Sequence, residues 1–317
     1  MDRIYFRNIN GLRFFAAFAV IIHHIEQYKS IFQHESCFET KLIKNLGNFG
    51  VQFFFVLSGF LITYLLIAEK DKKQKINYKN FVLRRVLRIW PVYFIVVIFS
   101  LFIAPKIELF NTSSTLLIYD SFYIKLALLV FFLPNIVFRL FTPIALAAQT
   151  WSIGVEEQFY IVWPILIQKI KKLYKTLICI MLAYVLFKIF AFKTSVNYPD
   201  LYFLKKISRI INDLSISSFI LGALGSLIIT NKKSITKIIT NIKTIRISFL
   251  VFILLLISTS SESYYVVGII SIENEIFSLL FIIFILNLIN SNKFRFSLEN
   301  KILLYLGKIS YGLYMYH

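Results

Sequence analysis

Disulfide chemistry has little to work with in this sequence, which holds two cysteines, Cys37 in a polar stretch and Cys179 in an apolar one. Residues so differently placed are not expected to pair, and they do not identify a redox compartment. Glycine (10) and proline (6) are also scarce among the 317 residues, and no repeat or low-complexity linker interrupts the chain. A single unit over 1–317 is therefore expected, with no appended soluble domain. Acidic residues are few, 16 against 35 lysines and arginines, a net charge of +19. A basic excess can mean nucleic acid, but here it clusters between apolar runs, as in a membrane protein, so nucleic-acid binding is set aside. Long polar stretches are lacking too. The chain is 58% hydrophobic with a mean hydropathy of +0.73, whereas soluble domains are about half apolar and about a quarter charged. The first apolar run carries Arg13, His23 and His24 and lacks a small-residue cleavage site, so it is expected to be a retained first helix and not a cleavable signal.

What is there is a series of apolar runs, at 10–28, 48–68, 89–105, 152–168, 176–192, 214–230, 246–262, 266–290 and 302–317. A spanning helix needs about 20 mostly apolar residues, so these predict an all-α integral membrane protein, a polytopic bundle of about 9–10 transmembrane helices. The strongly basic connection 69–88 is expected in the cytoplasm, which places the N-terminus there as well. The basic loops 169–175 and 231–246 join it only if the less regular segment 122–141 does not fully cross. That segment holds Tyr123, Lys125, Pro134, Asn135 and Arg139. It is expected to be re-entrant or surface-lying, and to help line an internal cavity. The last run stops at His317, short of a full span, so either the chain is a piece of a longer protein or its final helix is incomplete.

Ionisable residues in such runs cost about 2.5–3.5 kcal/mol each on insertion scales and are functional candidates by default. Arg13 and His24 lie 11 residues apart, about 20° from alignment after three helical turns and about 16 Å along the axis, so they share a face. His23 is rotated about 100° from His24 and points elsewhere. The bland alternative is an arginine reaching for the interface and a histidine bonded to backbone. In the second run, Ser58-Gly59 reads as a helix-packing element. Arg84, Arg85 and Arg88 stand at the mouth of the third, where they either anchor the helix to anionic lipid or bind phosphate. Ser152, Glu156 and Tyr160 form an i, i+4, i+8 stripe, with Glu157 turned about 100° away. An inward carboxylate could orient a catalytic histidine. The alternative is that both glutamates sit in a first helical turn and complement its dipole.

Taken in order, NGLRFFAAFAVIIHH (10–24), FFFVLSGFLI (53–62), FVLRRVLRIWPVY (81–93), TWSIGVEEQFYIVWP (150–164), RIINDLSISSFILGALGSL (209–227) and LGKISYGLYMYH (306–317) resemble the membrane-bound acyltransferase family 3, bacterial O-acyltransferases of cell-surface glycans. The resemblance maps the family's arginine, ten residues, histidine signature onto Arg13 and His24, and its paired arginines onto Arg85 and Arg88. It maps the glutamate motif onto Trp151, Ser152, Glu156 and Tyr160, with Ile153 in place of the usual leucine. It implies transfer of an acyl group, acetyl being the expected one, from cytoplasmic acetyl-CoA or another acyl-CoA to a sugar hydroxyl of a surface or lipid-linked glycan. It also implies a multi-pass protein of the inner (plasma) membrane, with no permanently bound cofactor and no metal. Arg84, Arg85 and Arg88 would meet the donor phosphates. His24, as base or acyl carrier, would be oriented by Glu156 on the face it shares with Arg13, with Trp151, Ser152 and Tyr160 supporting the substrate site. A transporter or flippase of a glycan or acyl group is the alternative function, against which the sequence offers no repeated halves. A non-enzymatic scaffold would leave the aligned charges unexplained.

Overall fold

The computed structural model describes residues 6–107, 121–142, 144–231, 247, 250, 273–290 and 297–317. Apart from 231, 247 and 250, the expected span at 246–262 and the basic segment at 231–246 lie outside these residues, as does the first part of the run at 266–290. The described elements are all helices: α1 (Ile9–Ile31), α2 (Lys41–Lys73), α3 (Tyr78–Ile98), α4 (Phe122–Val130), α5 (Pro134–Leu140), α6 (Thr150–Lys169), α7 (Leu173–Asn197), α8 (Tyr202–Asp213), α9 (Ile216–Asn231), α10 (Glu273–Asn290) and α11 (Lys301–Tyr316). Among the described residues, four helical stretches are long and apolar enough to cross a membrane: Lys41–Lys73, Tyr78–Lys106, Leu173–Asn197 and Tyr202–Thr230. The protein is an all-α membrane protein. Neither α1 nor α6, which carry Arg13, His24, Glu156 and Glu157, is among the four.

Local chemistry fixes where helices begin and end. Asn77 caps α3 by accepting from the Asn80 N–H (3.0 Å), and Asn300 caps α11 by accepting from that of Leu303 (2.7 Å). Gln74, at φ 57, turns the chain left-handed to stop α2. The basic connection 69–88 is thus mostly helix, with a short link at 74–77.

α2 is the central post, touching α1, α6, α9 and α10. Its contact with α9 is a glycine crossing. A Cβ added to Gly59 would stand 2.1 Å from the Phe219 carbonyl oxygen, and one on Gly222 2.1 Å from that of Val56. Each helix therefore needs hydrogen where the other's backbone passes. α1 runs antiparallel to α2, with Phe6 against the Tyr64 ring (4.7 Å) at one end and His23 bonded to the Ile43 carbonyl (2.8 Å) at the other. α1 and α11 run parallel, since Gly307 meets Asn10 and His317 meets His24.

The ends of α2 and α6 and the link into α3 meet at one end of the bundle. Lys70 Nζ donates to the carbonyls of Ile167 (2.6 Å) and Gln168 (3.1 Å), and Gln168 Oε1 accepts from the Ile76 N–H (2.9 Å). The basic segments around 70–79 and 169–175 therefore share that end. Residues 122–141 form two helices of 9 and 7 residues broken before Pro134, and neither alone reaches the length of a span. Phe132, at φ 57, presses its ring against Tyr93 (4.5 Å) and Trp90 (4.9 Å) of α3. Gln158 of α6 donates to the Phe132 carbonyl (3.2 Å) and to Asn135 (2.9 Å). This segment was expected to line the internal cavity. None of its residues does, because α3 and α6 stand between.

Candidate active site

A cavity of about 280 Å³ opens among α1, α2, α3, α6 and α11. Each of those helices contributes polar groups to a wall that is nearly half polar: Arg13 from α1, Ser58 from α2, Arg85 and Arg88 from α3, and Ser152, Glu156 and Tyr160 from α6. α11 adds Ser310, Tyr311 and Tyr314. Five of the sequence motifs therefore meet in one space, although they are spread over almost the whole chain.

The carboxylate is held firmly. Glu156 accepts from Tyr160 Oη (2.7 Å) and from Ser58 Oγ (3.0 Å). The Tyr160 spacing follows from one helical turn, whereas Ser58 arrives from α2. Ser58, read from sequence as a packing residue, is therefore part of the site; a serine facing a helix crossing gives no hint of a carboxylate on a third helix. Both glutamates lie beyond the first turn of α6, which begins at Thr150, so the dipole explanation does not apply. Glu157 is buried on another face, where Trp90 Nε1 donates to it (3.3 Å).

The guanidiniums are not paired. Among the described residues, Arg13, Arg85 and Arg88 form no salt bridge, and the buried Nε of Arg85 has no hydrogen-bond partner. Arg85 instead lies over the rings of Phe81 (5.3 Å) and Tyr160 (5.5 Å), contacts that suit a cation and leave its N–H donors free. Three cations against one carboxylate, already satisfied by two hydroxyls, make an anion-seeking cavity. Arg84 is exposed and does not line it.

His24 lies beyond the cavity wall rather than in it. Its Nδ1 faces Nε2 of His317 at 2.8 Å, and the rings are 4.8 Å apart. The structure does not bring Glu156 to His24; the histidine ring meets His317 through Nδ1 and has the Val20 carbonyl, one helical turn back, as its backbone partner. Tyr314 stands between cavity and dyad, its hydroxyl on Ser152 Oγ (2.6 Å) and its ring 5.5 Å from that of His317. His23 packs on α2 through the Ile43 carbonyl and Gly47. Trp151 packs edge-on to Phe55 and flat against Phe138, and so supports the wall from behind. Among the described residues, no group of three or more metal-binding side chains converges.

The family model for the Acyl_transf_3 acyltransferase domain matches residues 6–317. The chain belongs to this acyltransferase family. It is 34% identical over 167 residues to the peptidoglycan O-acetyltransferase OatA of Listeria monocytogenes, covering 51% of this chain and 24% of that protein. It is 30% identical over 339 aligned residues to the O-acetyltransferase OatA of Staphylococcus aureus, covering 99% of this chain and 50% of that protein. A putative peptidoglycan O-acetyltransferase of Bacillus subtilis, YrhL, is 31% identical over half of this chain and 23% of its own length. The chain thus spans at most half the length of these relatives. No solved structure gives a significant match.

In this family member the cavity presents its arginines to an anion, and the His24–His317 dyad lies beyond Tyr314. Sequence reasoning did not find Ser58, Tyr311, Tyr314 or His317. In the sequence the terminal SYGLYMYH stands out only through the resemblance, and the parallel packing of α11 on α1 is what gives it a place in the site.

Proposed function

We propose that the chain is an O-acyltransferase, with acetyl as the expected group, acting from cytoplasmic acyl-CoA on a sugar hydroxyl of a cell-surface or lipid-linked glycan. The observation that carries this is the cavity with three unpaired guanidiniums around one carboxylate that is already hydrogen-bonded by two hydroxyls. Forked guanidiniums suit the phosphates of a CoA donor. The names of the relatives supply the acetyl group and point to a glycan of the cell envelope as acceptor.

The bundle would cross the inner membrane several times with its N-terminus in the cytoplasm. The shared end of the 70–79 and 169–175 segments supports this, because a basic excess favours the cytoplasmic face. Arg85 and Arg88 on α3, which starts at that end, would hold the donor phosphates and direct the thioester toward Tyr314 and the dyad. His24 then takes the proton of the sugar hydroxyl as its oxygen attacks the thioester carbonyl. The C–S bond breaks and the thiolate leaves with CoA. If His24 carries the acyl group instead, its nitrogen attacks the thioester carbonyl and the C–S bond breaks to release the CoA thiolate; the sugar oxygen then attacks the acyl-imidazole, the C–N bond breaks, and the leaving imidazole takes the hydroxyl's proton.

Membrane vesicles of inverted orientation, given radiolabelled acetyl-CoA, test the assignment. Label should enter an alkali-labile ester on glycan in vesicles that carry the protein. Label absent from glycan in vesicles that contain both protein and acceptor would refute it.

A further inference from the structure

The dyad at the end of α1 has a direction that follows from its third member. Nδ1 of His317 is hydrogen-bonded to the backbone carbonyl of Tyr314, three residues earlier. A carbonyl oxygen only accepts, so Nδ1 of His317 must carry the proton. In a neutral ring its Nε2 is then an acceptor, and it faces Nδ1 of His24 at 2.8 Å. The proton between the two rings therefore belongs to His24. A neutral His24 protonated on Nδ1 has its lone pair on Nε2, the nitrogen free to act on substrate.

We propose that His317 is a positioning residue for the transfer reaction, accepting the Nδ1 proton of His24 and so holding His24 with Nε2 unprotonated. The inference rests on the acyltransferase reading above, but it serves His24 as base and as acyl carrier alike, since both need an unprotonated nitrogen. It also survives the chemical step. When His24 takes a proton on Nε2, its Nδ1–H continues to donate to His317, so the ring does not have to turn. The role that sequence assigned to Glu156 thus falls to a residue 293 positions away along the chain. The backbone of α11 sets the order of the relay, because Tyr314 and His317 are one helical turn apart.

The test uses the full chain in lipid nanodiscs with 15N-labelled histidine. The sequence has four histidines, so each can be assigned by single substitution. The wild-type spectrum should show His24 protonated on Nδ1. His317→Ala should move it toward the Nε2–H form that free imidazole side chains prefer. His317→Gln, whose side-chain oxygen can occupy the acceptor position, should keep the native form. In parallel, acyl transfer at matched protein level should fall in His317→Ala by a factor within the ~10²–10⁴ that a positioned base supplies, and recover most of its rate in His317→Gln. An Nε2–H form of His24 in the wild type, or an unchanged tautomer in His317→Ala, would overturn the proposal. So would full activity in His317→Ala. Should the wild type transfer no acyl group at all, the function proposed above falls, and the spectra still decide the tautomer.

Discussion

Replacing Arg88 with alanine separates donor binding from helix anchoring. Arg88 lines the cavity with no carboxylate partner, so its guanidinium has little to lose but a ligand. Hydrogen bonds to charged groups contribute about 1.5–3 kcal/mol, and 1.4 kcal/mol is about a factor of ten. Losing one phosphate contact should therefore raise the KM for acetyl-CoA about 10- to 150-fold, with kcat little changed if the contact is equally strong in the transition state. Lysine should restore only part of this, because a point charge cannot grip two oxygens at once. Arg84 is the internal control. It is exposed and off the cavity, and surface substitutions usually stay within about 0.5 kcal/mol, so Arg84→Ala should change KM less than about threefold. Initial rates of acyl transfer against acetyl-CoA concentration, in vesicles with matched protein, give both numbers. An unchanged KM in Arg85→Ala/Arg88→Ala, or an equal effect of Arg84→Ala and Arg88→Ala, would refute the assignment and return the cluster to the lipid interface.

His24→Ala should lower the transfer rate by about 10²–10⁴-fold, whereas His23→Ala, which loses a contact to the Ile43 carbonyl, should retain most activity and instead melt at lower temperature in detergent. Tyr160→Phe and Ser58→Ala each remove a donor from Glu156 and should reduce activity about tenfold or more, if a hydrogen bond to a charged group contributes about 1.5–3 kcal/mol. Gly59→Leu should destabilise the bundle by more than the ~1–3 kcal/mol of ordinary overpacking, because the obstacle is the Phe219 backbone; thermal unfolding in detergent measures it. Lys188→Met should destabilise the bundle by at most about 3–5 kcal/mol, because the partly covered Glu275 would lose its cation and keep only the Ser217 hydroxyl. Normal stability in that variant would mean that the pair at 2.8 Å contributes nothing.

Much of the fold was legible because apolar runs and basic connections are properties of sequence alone. The predicted runs at 152–168 and 302–317 coincide with α6 and α11 to within a few residues. The 48–68 run is embedded in a longer helix, since lysines and polar residues at both ends of α2 continue the turn outside the apolar stretch. Rotation was harder. On α3, Arg85, Arg88 and Ile89 fall within about 100° of one another and Arg84 lies about 90° from their centre; only the position of α6 and α11 decides which sector faces in. The stripe of Ser152, Glu156 and Tyr160 was correctly placed on one face, but helical periodicity says nothing of what lies opposite. That face meets Ser58, Arg13 and Tyr314, and His24 meets α11. The 122–141 segment misled in a similar way. Its polar residues suggested a wetted wall, whereas Asn135 and Phe132 are engaged by α6 and α3.

The central claim is that this chain moves an acyl group from CoA to glycan through His24. A single-turnover experiment with purified protein in liposomes tests it directly, with acetyl-CoA and a glycan acceptor supplied and both products counted. The account predicts one glycan ester for each CoA thiol released, and loss of both in His24→Ala. Thiol release without glycan ester, or equal turnover in His24→Ala at the same protein level, would contradict it.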